Sequence, residues 1–92
     1  MIKMVAMVAR KEGMDKNEFV RYWLNIHAPL EKKWPGLKKY VISTTIGVPG
    51  GGEPEYDGVA ELWFEDEDAL KKALESQERK ISREDFLKFV GK

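Results

Sequence analysis

Cysteine is absent from this 92-residue chain, and histidine occurs once. Without cysteine there is no disulfide, no thiolate metal site and no thiol nucleophile. One histidine alone is too little for a structural zinc site, so no metal and no cofactor is expected. A charge excess is also lacking: sixteen basic and sixteen acidic residues cancel. Nucleic acids and anionic membranes are recognised through a basic field, so neither is an expected partner. Long hydrophobic runs are missing too. The most apolar stretch, near the N-terminus, is interrupted by Lys3 and closed by Arg10, which is too short for a signal peptide or a membrane span. Starting at Met1, the chain leaves no room for a cleavable leader, and a cytoplasmic protein is expected.

What is present reads as one domain over residues 1–92. A chain of this size buries only about 60–65% of its unfolded surface, so association with a second copy is a common source of added stability. Residues 2–9 are mostly apolar and short, and predict a buried strand. Asp15 and Glu18 have the spacing of a capping box, and Met14 and Phe19 that of a hydrophobic staple. The spacing then predicts a helix over 16–33. Phe19, Trp23, Ile26 and Leu30 form its apolar stripe, while Lys16, Asn17, Arg21 and Glu31 fall on its wet side. Pro29 removes the hydrogen bond to the carbonyl of Asn25, so a bend is expected there. Residues 37–46, rich in β-branched and aromatic types, predict a second strand. A Gly- and Pro-rich loop over 47–55 follows, then a third strand from Val59 to Phe64. Asp66 caps a second helix with Ala69, Leu70, Ala73 and Leu74 on its stripe, and residues 82–90 predict a short last helix.

The order β-α-β-β-α is the start of the ferredoxin-like split β-α-β pattern, an α+β fold with an antiparallel sheet. Ala60, Leu62 and Phe64 alternate with Val59, Glu61 and Trp63 along the third strand. Both long helices cover one face of the sheet. The opposite face keeps Val59 and Trp63, and nothing in the chain remains to cover it, so a homodimer formed through that face is expected.

The segments Phe19-Val20-Arg21-Tyr22-Trp23, His27-Ala28-Pro29-Leu30, Pro35-Gly36-Leu37 with Tyr40, and Tyr56-Asp57-Gly58-Val59-Ala60-Glu61-Leu62-Trp63-Phe64 together resemble the EthD family of the dimeric α+β barrel superfamily. The resemblance covers roughly residues 1–75. It implies a ferredoxin-like protomer packed sheet to sheet against its partner, with a small pocket between helices and sheet. Similar barrels include cofactor-free monooxygenases, isomerases and polyketide cyclases, so family likeness alone does not select a reaction. The family pattern closes with a fourth strand beside the first. Here residues 82–90 read as helix instead. Either the edge of the first strand takes part in further association, giving a higher oligomer, or residues 82–90 cover it.

His27, Tyr40 and Glu61 are the candidate catalytic residues. His27 is the side chain whose ordinary pKa suits proton transfer near neutral pH. In barrels similar to this one a helix-borne histidine has that role. The alternative is that its ring satisfies the carbonyl freed by Pro29. Tyr40 is a phenol able to hold a developing oxyanion, or a tyrosine of an ordinary strand. Glu61 interrupts an apolar strand and is a candidate general base, or one half of a salt bridge across the dimer. Tyr22, Trp23, Trp34 and Trp63 are candidate ligand-binding residues, with the core as the alternative for the three tryptophans and above all for Trp23. Gly47–Gly52 is not a phosphate loop, because neither Gly-Lys-Ser/Thr nor a helix start follows it. The expected function is a cofactor-free enzyme acting by proton transfer on a small hydrophobic oxygenated compound, of isomerase, cyclase/dehydratase or oxidoreductase type. The alternative is a non-catalytic ligand-binding or assembly module on the same fold.

Overall fold

The computed structural model describes residues 1–91. Three strands, β1 (Ile2–Val8), β2 (Leu37–Thr44) and β3 (Gly58–Phe64), form one antiparallel sheet in the order β1-β3-β2. Met4 and Tyr40 both stand opposite Leu62, and Ala6 and Ile42 both stand opposite Ala60. One face is therefore built from Ile2, Met4, Ala6 and Val8, from Tyr40 and Ile42, and from Ala60, Leu62 and Phe64. This face packs under the helices. Phe19, Trp23, Leu62, Phe64 and Phe89 are all nearly inaccessible within that layer.

The first helical run begins where the capping signal predicts. Asp15 Oδ2 accepts from the backbone N–H groups of Asn17 and Glu18, at 3.0 and 3.3 Å. The run comprises α1 (Lys16–Tyr22), a π-turn (Trp23–His27) and α2 (Ala28–Glu31). In the π-turn the N–H of Ala28 donates to the carbonyl of Trp23, five residues back. The irregularity expected at Pro29 thus takes the form of one extra residue in the turn before it. That residue changes which side chains face inward. In an unbroken α-helix a four-residue step overshoots a full turn by about 40°. The π-turn absorbs this drift, so Phe19, Trp23, His27 and Glu31 stay in line and all four are buried. Ile26, expected on the apolar stripe, is half exposed, and Glu31, expected to be wet, is 9% exposed.

Gly36, at a φ of 77°, turns the chain from α2 into β2. After β3, Asp66 caps α3 (Glu67–Leu74) by accepting from the N–H of Ala69 at 2.9 Å. The last helix, α4 (Gln77–Phe89), is longer than the sequence suggests and is capped by Ser76. Ser82, at the start of the helix expected over 82–90, and Asp85 are instead buried side chains on its inner face. α4 joins the helix layer, so it does not cover the opposite sheet face. The chain then meets the far end of the first strand: Arg10 and Val90 form a single antiparallel bridge, and the N–H of Gly91 donates to the carbonyl of Ala9 at 2.8 Å. Among the described residues, β1 has no strand partner other than β3. The shortest dimension, 19 Å, is that of one sheet and one helix layer. No described helix is long and apolar enough to cross a membrane.

Gly58 lies directly beneath Trp23. A Cβ there would sit 2.4 Å from the indole ring and 2.7 Å from the carbonyl oxygen of Ser43. Because the ring is wedged in the core, the clash cannot be relieved by a flexible side chain. The Gly58→Ala protein is expected to lose about 1–3 kcal/mol of stability, or to fail to fold, as measured by urea unfolding.

Candidate functional site

A linear network of buried polar groups crosses the helix layer. At one end Tyr22, the last residue of α1, donates its hydroxyl to Asp85 Oδ1 at 2.6 Å. Asp85 Oδ2 lies 2.9 Å from His27 Nδ1. On the other side of the imidazole, Nε2 is 3.4 Å from Glu31 Oε1. Tyr40, reaching up from β2, donates to the same Oε1 at 2.7 Å. His27 is 1% exposed, and its Nε2 is the one buried side-chain polar atom among the described residues with no hydrogen-bond partner. At 3.4 Å the Nε2–Glu31 contact is a charge–charge approach, not a good hydrogen bond.

The electrostatics follow from this geometry. Burial by itself pushes the His27 pKa down, but the carboxylates of Glu31 and then Asp85 outweigh it and hold the imidazole above its ordinary value. Tyr40 is pushed well above the usual phenol range, first by burial and then by the Glu31 carboxylate beside it. Tyr22 is pushed up to about 12, chiefly by its hydrogen bond to Asp85. Both phenols are therefore donors, not proton acceptors. Asp85 and Glu31 flank opposite nitrogens of one ring and do not converge on a point. Among the described residues no group of three or more His, Asp or Glu side chains is arranged to hold a metal.

A cavity of about 120 Å³ adjoins this network. Glu31, Trp34 and Ser82 form its buried wall, and Met4, Ala6 and Phe86 its apolar sides. Arg79 and Arg83 complete the lining, and Arg83 is exposed, so the cavity runs from the Glu31 carboxylate toward the surface of α4. Trp34 Nε1 donates to Ser82 Oγ at 2.9 Å, and Ser82 Oγ donates to the carbonyl of Arg79 at 3.0 Å. A larger cleft of about 640 Å³ lies between the start of α1 and the end of β2, lined by Lys16, Val20, Arg21 and Ile46 among others. It is a broad surface trough away from the buried network, so the smaller cavity is the candidate site.

The residues singled out from sequence divide into three sets. His27 and Tyr40 are brought together, but through Glu31, and neither lines the cavity. The ring nitrogens of His27 face Asp85 and Glu31, which corrects the alternative in which they satisfy the carbonyl freed by Pro29. Trp34 lines the cavity, Trp23 is core, and Tyr22 anchors the far end of the network. Glu61 and Trp63 lie on the opposite sheet face. Glu61 Oε2 accepts from Lys3 Nζ at 2.9 Å within the chain, and the ammonium groups of Lys3 and Lys39 sit over the Trp63 ring. They are not part of this site. Sequence reasoning missed Glu31, Asp85, Ser82 and the two arginines. The four-residue spacing 19-23-27-31, together with a proline at 29, is the signal that would have pointed to Glu31.

The EthD domain family model matches residues 11–92, nearly the whole chain. The chain belongs to the EthD family. The match includes α4 and hence Ser82 and Asp85, beyond the stretch in which the family likeness is legible by eye. A crystal structure of an ethyl tert-butyl ether D (EthD) family protein from Bacillus halodurans C-125 is similar, with 34% sequence identity and a TM-score of 0.85, over 97% of this chain and 86% of that one. Comparison with the curated proteins finds no match. The EthD assignment and the ferredoxin-like α+β fold agree with the expectations drawn from sequence.

The raised pKa of His27 ties stability to pH. Its charged form interacts more favourably in the native state than in the unfolded chain. The resulting stabilisation is complete below the ordinary value of 6.5 and is lost as pH rises through the elevated native value. Urea unfolding should therefore show His27→Gln less stable than the parent by about 1–3 kcal/mol near pH 6, with a smaller deficit above the native pKa. A deficit that grows with pH would contradict the charged imidazole.

Proposed function

We propose that this EthD protein is a cofactor-free enzyme that removes a proton from a small hydrophobic oxygenated compound, with Glu31 as the base. The reading rests on one observation: Glu31 is a buried carboxylate on the cavity wall whose Oε1 already accepts from Tyr40 and faces His27. A carboxylate so placed is within reach of a C–H of a ligand in the cavity. His27 and Tyr40 are then positioning residues. The Tyr40 hydroxyl fixes the carboxylate, and the imidazole, itself held by Asp85, supplies positive charge behind it. When Glu31 takes up the proton, the hydrogen bond from Tyr40 and the charge on His27 remain to orient the acid for returning it at a neighbouring atom. A C–H beside a carbonyl fits this requirement, and isomerisation or cyclisation are the reaction types that follow.

The test is deuterium exchange into a panel of small enolisable carbonyl compounds, followed by NMR. The parent protein should accelerate exchange for at least one compound. Glu31→Gln should reduce that rate by roughly 10²–10⁴-fold while keeping the parent's circular dichroism. Undiminished exchange in Glu31→Gln would remove Glu31 as the base. Ligand binding by the parent without any exchange would favour a non-catalytic holding module.

The homodimer belongs to the same reading. The helix-free sheet face carries Val5 and Met7, each about half exposed, with Val41, Val59 and Trp63 beside them. An apolar sheet face in a small domain supports a second copy as its cover. The parent should sediment as a dimer, and Val5→Asp should weaken association at least ~30-fold, the scale of an interface hot spot. A concentration-independent monomer would overturn this part of the proposal.

A further inference from the structure

The cavity holds an unmatched positive charge. Of its polar lining groups, Trp34 Nε1 and the Ser82 hydroxyl are already engaged with each other and with the backbone. Glu31 faces Tyr40 and His27. Arg79 and Arg83 are different. The ion pairs among the described residues draw their cations from Lys3, Arg10, Lys16 and His27, so neither arginine has a carboxylate of a described residue within 4.0 Å. The two are four apart on α4 and share a helix face, where like charges repel. Arg83 lies over the Phe86 ring with its guanidinium carbon 5.3 Å from the centroid, and Phe86 is itself a cavity wall. The guanidinium is thus held against the opening.

We propose that the cavity takes a small organic carboxylate, with its carboxylate group between Arg79 and Arg83 and its oxygenated, proton-yielding end against Glu31. This rests on the reading of Glu31 as base and names the substrate class for that site. Two guanidiniums and the charged imidazole against the Glu31 and Asp85 carboxylates leave a single positive charge, which a monoanion matches and a phosphate dianion exceeds. The planar fork of arginine pairs with a carboxylate through two parallel hydrogen bonds, and the flanking Met4, Ala6 and Phe86 suit a short alkyl chain beside the carbonyl. The ligand must be small, because the space measures only about 120 Å³. A short oxo acid is the simplest compound with these parts.

NMR titration of the full chain tests this with three probes: 2-oxobutanoate, its neutral counterpart 2-butanone, and inorganic phosphate. The oxo acid should give saturable shifts at millimolar concentration in the signals of Trp34, Ala6 and Phe86. The ketone and phosphate should bind at least ~10-fold more weakly. Arg79→Gln and Arg83→Gln should each weaken oxo-acid binding about tenfold or more, the loss of one charge-assisted hydrogen bond. Lys88→Gln, elsewhere on α4, should leave it unchanged. Glu31→Gln should bind the oxo acid as well as the parent or better, since it removes a like charge, even as exchange is lost. Failure of the base reading therefore appears as exchange surviving Glu31→Gln. Failure of this proposal appears as no saturable binding of the oxo acid, as ketone or phosphate binding equally well, or as arginine variants that bind like the parent.

Discussion

One extra residue in the helical turn from Trp23 to His27 sets the arrangement of the site. An α-helix carrying Phe19, Trp23, His27 and Glu31 at intervals of four would turn the last of these well away from the first. The π-turn holds them in a single row facing the sheet and α4. Phe19 and Trp23 spend that alignment on the core, where the Trp23 ring lies against Gly58. His27 and Glu31 spend it on polar contacts with α4 and β2. The proline at 29 is compatible with this geometry because the turn before it already departs from the regular hydrogen-bond ladder.

Burying two carboxylates and an imidazole in a domain this small is costly unless each is paired. The structure meets that demand with a chain of contacts from three separate parts of the sequence. Asp85 takes the Tyr22 hydroxyl on one oxygen and His27 on the other, and Glu31 takes the Tyr40 hydroxyl. The one poorly satisfied atom is His27 Nε2, next to Glu31. The least satisfied point of the network thus lies next to Glu31, where the cavity begins, in keeping with the tendency of imperfectly satisfied buried groups to mark function.

The sheet separates two roles. Its inner face, through Met4, Ala6 and Tyr40, supports the cavity and the network. Its outer face carries Val5, Met7, Val59 and Trp63, with Glu61 paired to Lys3. A residue of β3 serves one role or the other according to its parity alone. Glu61 and Glu31 are both acids with polar partners within the chain, yet one faces the side where a second copy is proposed and the other faces the interior.

The sequence by itself determined the three strands, their order, the helix caps at Asp15 and Asp66, the bare outer face and the EthD likeness, because these follow from local periodicity and from short contiguous motifs. His27 and Tyr40 also stood out, since a lone imidazole and a strand phenol carry recognisable chemistry. Their common partner did not. Glu31 was hidden by a helical period of 3.6 that the π-turn breaks, and the length and inner face of α4 were obscured by its mostly polar sequence. Asp85 stands 58 residues from His27, and Ser82 stands 48 from Trp34. Only the packing of α4 against the first helical run makes these neighbours. Tertiary structure therefore decided which acid faces the cavity, because that depends on helix phase and long-range contact, neither of which is written in the spacing of apolar residues.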